Sequence, residues 1–142
     1  MKLEVFVDAV SAARRLDGMV RRSSDATPLL QILGDELLEY AAGAFATRGY
    51  GQWATLDPAT VRAKGNGRVL VDNGGLLADL TSRGSLRRSG ETVTLSTDET
   101  SAGYLKRGAR GMPQRNPTPP PPSPVVNGWA REALGFLVEG RR

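Results

Sequence analysis

Apolar positions along the chain recur with two spacings, and these divide it into elements. Residues 2–7, KLEVFV, alternate imperfectly and predict a short strand. Asp8 then stands where a helix cap is expected, ahead of a helix over about 9–23. Ala9, Val10, Ala13, Leu16, Met19 and Val20 form its apolar stripe, and Arg14, Arg15, Arg21 and Arg22 cover the other side. Thr27-Pro28 opens a second helix, with Thr27 as the expected cap and Pro28 at a position where its missing N–H costs nothing. Leu30, Leu33, Leu37, Leu38, Ala41 and Phe45 follow at helical spacing, with Asp35, Glu36 and Glu39 outside, up to about Thr47. That stripe reads as core or as subunit interface.

The middle of the chain is written in shorter pieces. Residues 49–57 form a loop with Tyr50 and Trp53, and Asp57-Pro58 repeats the cap-plus-proline signal ahead of a short helix closed by Gly65-Asn66-Gly67. Arg68-Val69-Leu70-Val71 reads as a strand, Asp72-Asn73-Gly74-Gly75 as a turn, and Leu76, Leu77 and Leu80 as a short helix. Residues 82–88 and 91–97 flank Ser89-Gly90 as a β-hairpin, and Ser101 is placed to cap a helix to about Lys106. The run 117–124, PTPPPPSP, is expected as an extended polyproline arm, because its six prolines offer no N–H to a helix or sheet ladder. A last helix over about 124–139 has Val126, Trp129, Ala130, Ala133, Leu134 and Leu137 on one face.

Helices and strands that do not alternate strictly predict an α+β fold, a small antiparallel sheet packed with two to three longer helices. The expected organisation is a core domain over 1–110, a Gly/Pro-rich arm over 111–124, and a C-terminal amphipathic helix over 125–142 that packs on the core or on a neighbouring subunit.

Composition removes whole classes of chemistry. The 142 residues include no Cys and no His. Disulfide scaffolds, thiolate metal sites, Ser–His–Asp triads and the common zinc sites are thereby excluded, whereas a carboxylate-only metal site or a carboxylate-pair enzyme survives. No apolar run approaches the ~20 residues a membrane span needs, and the start of the chain is too acidic for a signal-peptide core. A soluble protein of a reducing cytoplasm is the expectation. The net charge is +4, and its placement matters more than its size. Residues 101–142 hold seven basic side chains (Lys106, Arg107, Arg110, Arg115, Arg131, Arg141, Arg142) against Glu132 and Glu139. Such a field attracts phosphate or an acidic protein surface, or belongs to a solvated loop and tail.

Few motifs point to a reaction. The Gly-rich segments 65–67 and 73–75 lack a dinucleotide or P-loop fingerprint and read as turns. Asp35 and Glu39 share a helix face, but no second acidic cluster completes a metal shell. Trp53 is a loop aromatic, placed either to stack on a partner or to fold back on the core. Arg107, Arg110 and Arg115, among glycines, are the phosphate candidates. Pro119, Pro120, Pro121 and Pro122 make a preformed arm that loses little entropy on docking and so suits laying over a neighbour, or else serves as a spacer delivering the last helix.

The order of these segments resembles the bacteriophage virion-morphogenesis, or tail-completion, family of small head–tail joining proteins. A helical N-terminal part ends at Phe45 and is followed by a Gly-rich loop with Trp53 and Leu56, then Thr60 and Lys64. Leu70, Gly74 and Leu76 follow, then the hairpin, a segment from Tyr104 through Gly108, and Pro113-Gln114-Arg115-Asn116-Pro117 before the final helix. The match spans about residues 37–140. Asn116 between Arg115 and Pro117, and the proline run after it, depart from the family's pattern. The resemblance implies a structural virion protein with no catalytic activity, cofactor or metal. It implies a ring, hexameric or dodecameric, in the tail or neck, assembled in the host cytoplasm. The ring completes or terminates the tail and docks it to the head connector, contacting tail-tube and neck proteins with DNA passing through its lumen and with no membrane involved. Trp53, Lys106, Arg107, Arg110, Arg115, Pro119, Pro120, Pro121, Pro122 and Trp129 are the expected subunit-interface or lumen-facing residues. The competing expectations are a small nucleic-acid-binding module using the basic C-terminal third, and an enzyme built on a carboxylate site.

Overall fold

A computed structural model describes residues 8–109 and 111–140. The strand expected at 2–7 and the side chains of Arg110, Arg141 and Arg142 lie outside the described residues. The fold is α+β: among the described residues, six α-helices accompany one two-stranded antiparallel sheet.

Helix α1 spans Ala9–Ser24, and Asp8 caps it by accepting from the Ser11 N–H at 3.1 Å. Helix α2, Thr27–Ala46, carries Pro28 in its first turn. Thr27 is not its cap. Ala26 holds that position without a side-chain acceptor, and the Asp25 carboxylate takes the Thr27 N–H at 2.9 Å. The first turn is thus served from one residue further back, by a stronger acceptor than a hydroxyl. Leu30, Gly34, Tyr40, Ala41, Ala44 and Phe45 of α2 are buried, which makes it the central post of the molecule.

Around its C-terminal end sits the core, formed by Ala44, Phe45, Trp53, Val69, Val71, Leu76 and Leu80. Helix α3, Pro58–Lys64, is capped by Asp57 as expected, its carboxylate accepting from Ala59 N–H at 2.7 Å. Residues 68–71 do not form a strand. Val69 and Val71 are buried, but Leu70 between them has φ +60°, a left-handed conformation that no ladder accommodates. Local bonds hold the segment instead: Lys64 Nζ donates to the Arg68 carbonyl and Asn66 accepts from the Arg68 N–H. Helix α4, Gly75–Leu80, brings Leu76 and Leu80 into the core.

The hairpin forms with shorter strands than the alternation suggests. Strand β1, Leu86–Ser89, pairs with β2, Thr92–Leu95, and Ser89 faces Thr92 across a Gly90-Glu91 turn. Residues 83–85 turn as a 3₁₀ segment instead of extending the strand, because the Ser85 hydroxyl donates to the Asp79 carbonyl at 2.6 Å and the Ser82 hydroxyl accepts from Gly84 N–H. Helix α5 spans Thr100–Arg107, with Glu99 at the cap position in place of Ser101. Helix α6, Ser123–Glu139, packs on α2 and α1. Its apolar positions divide between two faces. Trp129, Ala133 and the buried Phe136 point inward, whereas Val126, Ala130 and Leu134 are exposed. No helix among the described residues is long and apolar enough to cross a membrane.

Candidate assembly surfaces

The loop after α2 decides where the first group of candidate residues goes. Arg48, Gly49, Tyr50 and Gly51 are four consecutive residues with positive φ, which turns the chain back beneath α2. Gly49 is required twice over: it adopts φ +65°, and a Cβ there would lie 2.5 Å from Trp53 Nε1. Gly43 likewise leaves room for the Tyr50 ring, whose hydroxyl donates to the Tyr40 carbonyl at 3.0 Å. The two tyrosine rings stack with centroids 4.8 Å apart, and burial pushes both phenols above their ordinary pKa.

Trp53 is therefore an internal residue and not a face for a neighbour or a lumen. It is 4% exposed and meets Phe45 edge-on at 5.4 Å. Its indole N–H donates to the Asn116 carbonyl at 2.8 Å. Arg115 also departs from its expected place among exposed phosphate contacts. It is 7% exposed; Nε donates to the Ala54 carbonyl at 2.9 Å and Nη2 to the Thr55 carbonyl at 3.0 Å. Its own N–H donates to the Leu105 carbonyl. A guanidinium with such donors satisfies carbonyls of the 53–55 loop that burial would otherwise leave unpaired, and bonds of this charged kind contribute about 1.5–3 kcal/mol each.

These bonds clamp the proline arm to its own subunit. From Arg115 the inward side chains alternate: Arg115, Pro117 and Pro119 are buried and Pro121 is half-buried, while Pro120 and Pro122 are exposed. Tyr40 Oη donates to the Pro120 carbonyl at 3.2 Å. One face of the arm thus belongs to the core, and only Pro120 and Pro122 of the four candidates are presented outward. Trp129 likewise turns inward. Its ring stands edge-on to Tyr40 at 5.8 Å, and its N–H donates to Glu36 at 3.0 Å. Burial, and then the neighbouring Glu132 carboxylate, push Glu36 above the ordinary glutamate pKa.

Lys106 and Arg107 are exposed as expected, and the Arg107 guanidinium lies 5.8 Å from the Tyr104 ring centroid. Arg110 is outside the described residues. A groove of about 690 Å³ runs between α3, α4 and α5, lined by Leu56, Leu70, Leu76 and Leu105 with Asp57 and Glu99. No group of three or more metal-ligating side chains occurs among the described residues.

The largest apolar surface left open is on the two terminal helices. Helix α1 buries none of its residues, and Val10, Leu16 and Val20 are 61, 62 and 65% exposed. It meets α6 through its opposite, polar side, where Arg22 donates to the Leu137 carbonyl at 2.7 Å and the Val138 carbonyl at 2.9 Å. Those are end carbonyls of α6, so a cation here also sits favourably at the helix's negative pole. On α6, Leu134 is 58% exposed, with Val126 and Val138 beside it. Both stripes are visible in the sequence; that they would be left uncovered by the subunit is not. Searches of protein-family models, of curated proteins and of solved structures find no match to this chain.

Proposed function

We propose that this chain is a structural subunit of a phage virion at the head–tail junction, working as a ring that completes or terminates the tail and docks it to the head connector. The observation that carries the reading is α1, a strongly amphipathic helix that spends its polar side on the subunit and holds its apolar side outward. An isolated helix gains most of its stability by burying that side, and contiguous exposed apolar surface marks an interaction site. The order of segments from Phe45 to the last helix gives the particular assembly. The carboxylates on the page are engaged in ordinary structural tasks: Asp8 and Asp57 cap helices, Asp35 pairs with Arg83 at 2.7 Å, and Asp79 accepts from Ser85 and Thr97.

The nucleic-acid reading loses Arg115 to the core but keeps Lys106 and Arg107 beside Tyr104. A steep fall of DNA affinity with salt, from micromolar or tighter binding at physiological salt, would favour it. The decisive experiment is imaging of purified particles with this subunit labelled. Labelled density between head and tail is expected, and mature particles lacking the protein would overturn the proposal.

A further inference from the structure

The two uncovered stripes fit each other. Val10, Leu16 and Val20 on α1 extend about 15 Å along the helix, and Val126 to Val138 on α6 extend about 18 Å. Each stripe has one charged margin. Asp17, with a side chain 60% exposed, borders the α1 stripe, and the exposed Arg131 borders the α6 stripe. At 3.6 residues per turn both margins lie on the same rotational side of their stripes, which brings them together when the helices run antiparallel.

A single antiparallel register satisfies all the positions. It sets Asp17 against Arg131 and Val10 against Val138. In the same register Leu134 lies over the small Ala13, Leu16 over the small Ala130, and Val20 reaches Val126. Large side chains thus meet small ones and the charges meet as a pair. An α1–α1 contact through the same face would set Leu16 near Ala13 but leave the α6 stripe bare.

We infer that the apolar face of α1 docks antiparallel on the exposed face of α6 of a second copy of this chain. Within one subunit α1 cannot do this, because Arg22 already fixes its other side to the end of α6. The contact is head-to-tail, with a different patch on each partner, and repetition of such a contact closes into a ring when the rotation allows. The inference deepens the ring reading by naming the surfaces and the occupant.

The absence of native cysteine makes the test direct. L16C and A130C proteins are prepared separately, mixed and oxidised. A disulfide joining the two species, in excess over either homodimer, is expected. A homodimer of L16C as the dominant product overturns the inference, as does a mixture that stays uncrosslinked at high concentration. A charge exchange guards against a folding artefact. D17R alone is expected to lower the mass seen by light scattering, and D17R/R131D to restore it; no restoration counts against the register. The result is separable from the virion reading. A crosslinked chain missing from particles defeats only that reading, and a virion protein whose α1 never links to α6 defeats only this one.

Discussion

The centre of the molecule and its outer helical layer use the same residue types to opposite ends. Around Trp53 every strong group is satisfied internally. The indole and the Arg115 guanidinium reach carbonyls more than sixty residues away in sequence, and the arm is pinned between them and Tyr40. In α1 the arrangement reverses. Arginine faces the subunit and Leu16 faces outward. Burial of a leucine stabilises by about 1.5–3 kcal/mol, and the α1 stripe forgoes that in the lone subunit. The contrast separates residues that hold the subunit together from residues available to hold subunits to one another.

Substitutions sharpen that contrast. Leu80→Ala, at a fully buried position, should lower the unfolding free energy by about 2–5 kcal/mol in denaturant titrations. Arg115→Ala removes two charged bonds to loop carbonyls and should cost about 1.5–3 kcal/mol, with no loss of charge-driven binding to DNA beyond that of an unfolding control. If Arg115→Ala left stability unchanged, the clamp would have to be abandoned. Replacing the exposed Pro120 and Pro122 by glycine keeps the carbonyl that Tyr40 bonds and loosens the unfolded chain; a loss of about 1–2 kcal/mol in total is expected from thermal unfolding. Leu16→Ala lies on the other side of the comparison. Its effect on the unfolding of the isolated subunit should stay within about 0.5 kcal/mol while self-association falls.

The smallest effect is electrostatic. Glu36 titrates above the ordinary glutamate value because it is partly buried and faces Glu132. The folded state therefore holds that proton more tightly than the unfolded chain, and stability falls as pH rises from the unfolded value through the raised one. Above both values the penalty is complete. Glu132→Gln should flatten this slope and slightly raise the melting temperature at neutral pH, and a lowered melting temperature there would show that the repulsion is not the dominant effect.

The helices were the most legible part of the sequence. Their signals are local: Asp8 and Asp57 cap, Pro28 and Pro58 sit in first turns, and the apolar spacing is helical. The hairpin was legible from Ser89-Gly90 and the alternation that follows it. Residues 68–71 misled because Val69 and Val71 do alternate inward, yet the left-handed Leu70 denies them a ladder partner. Trp53 and Arg115 were recognisable as special, but their direction was not. A basic or aromatic residue in a Gly-rich loop reads identically whether it meets a partner or the chain's own carbonyls.

By itself, the sequence determined the helical segments, the extended course of the prolines, the absence of Cys and His chemistry, and which helices are amphipathic. These follow from dihedral preference, capping and period, which act over a few residues. The tertiary structure decided which amphipathic faces the subunit covers and which it leaves open. That choice depends on contacts between distant segments, as when Arg22 reaches the end of α6 and turns the apolar side of α1 away from the body.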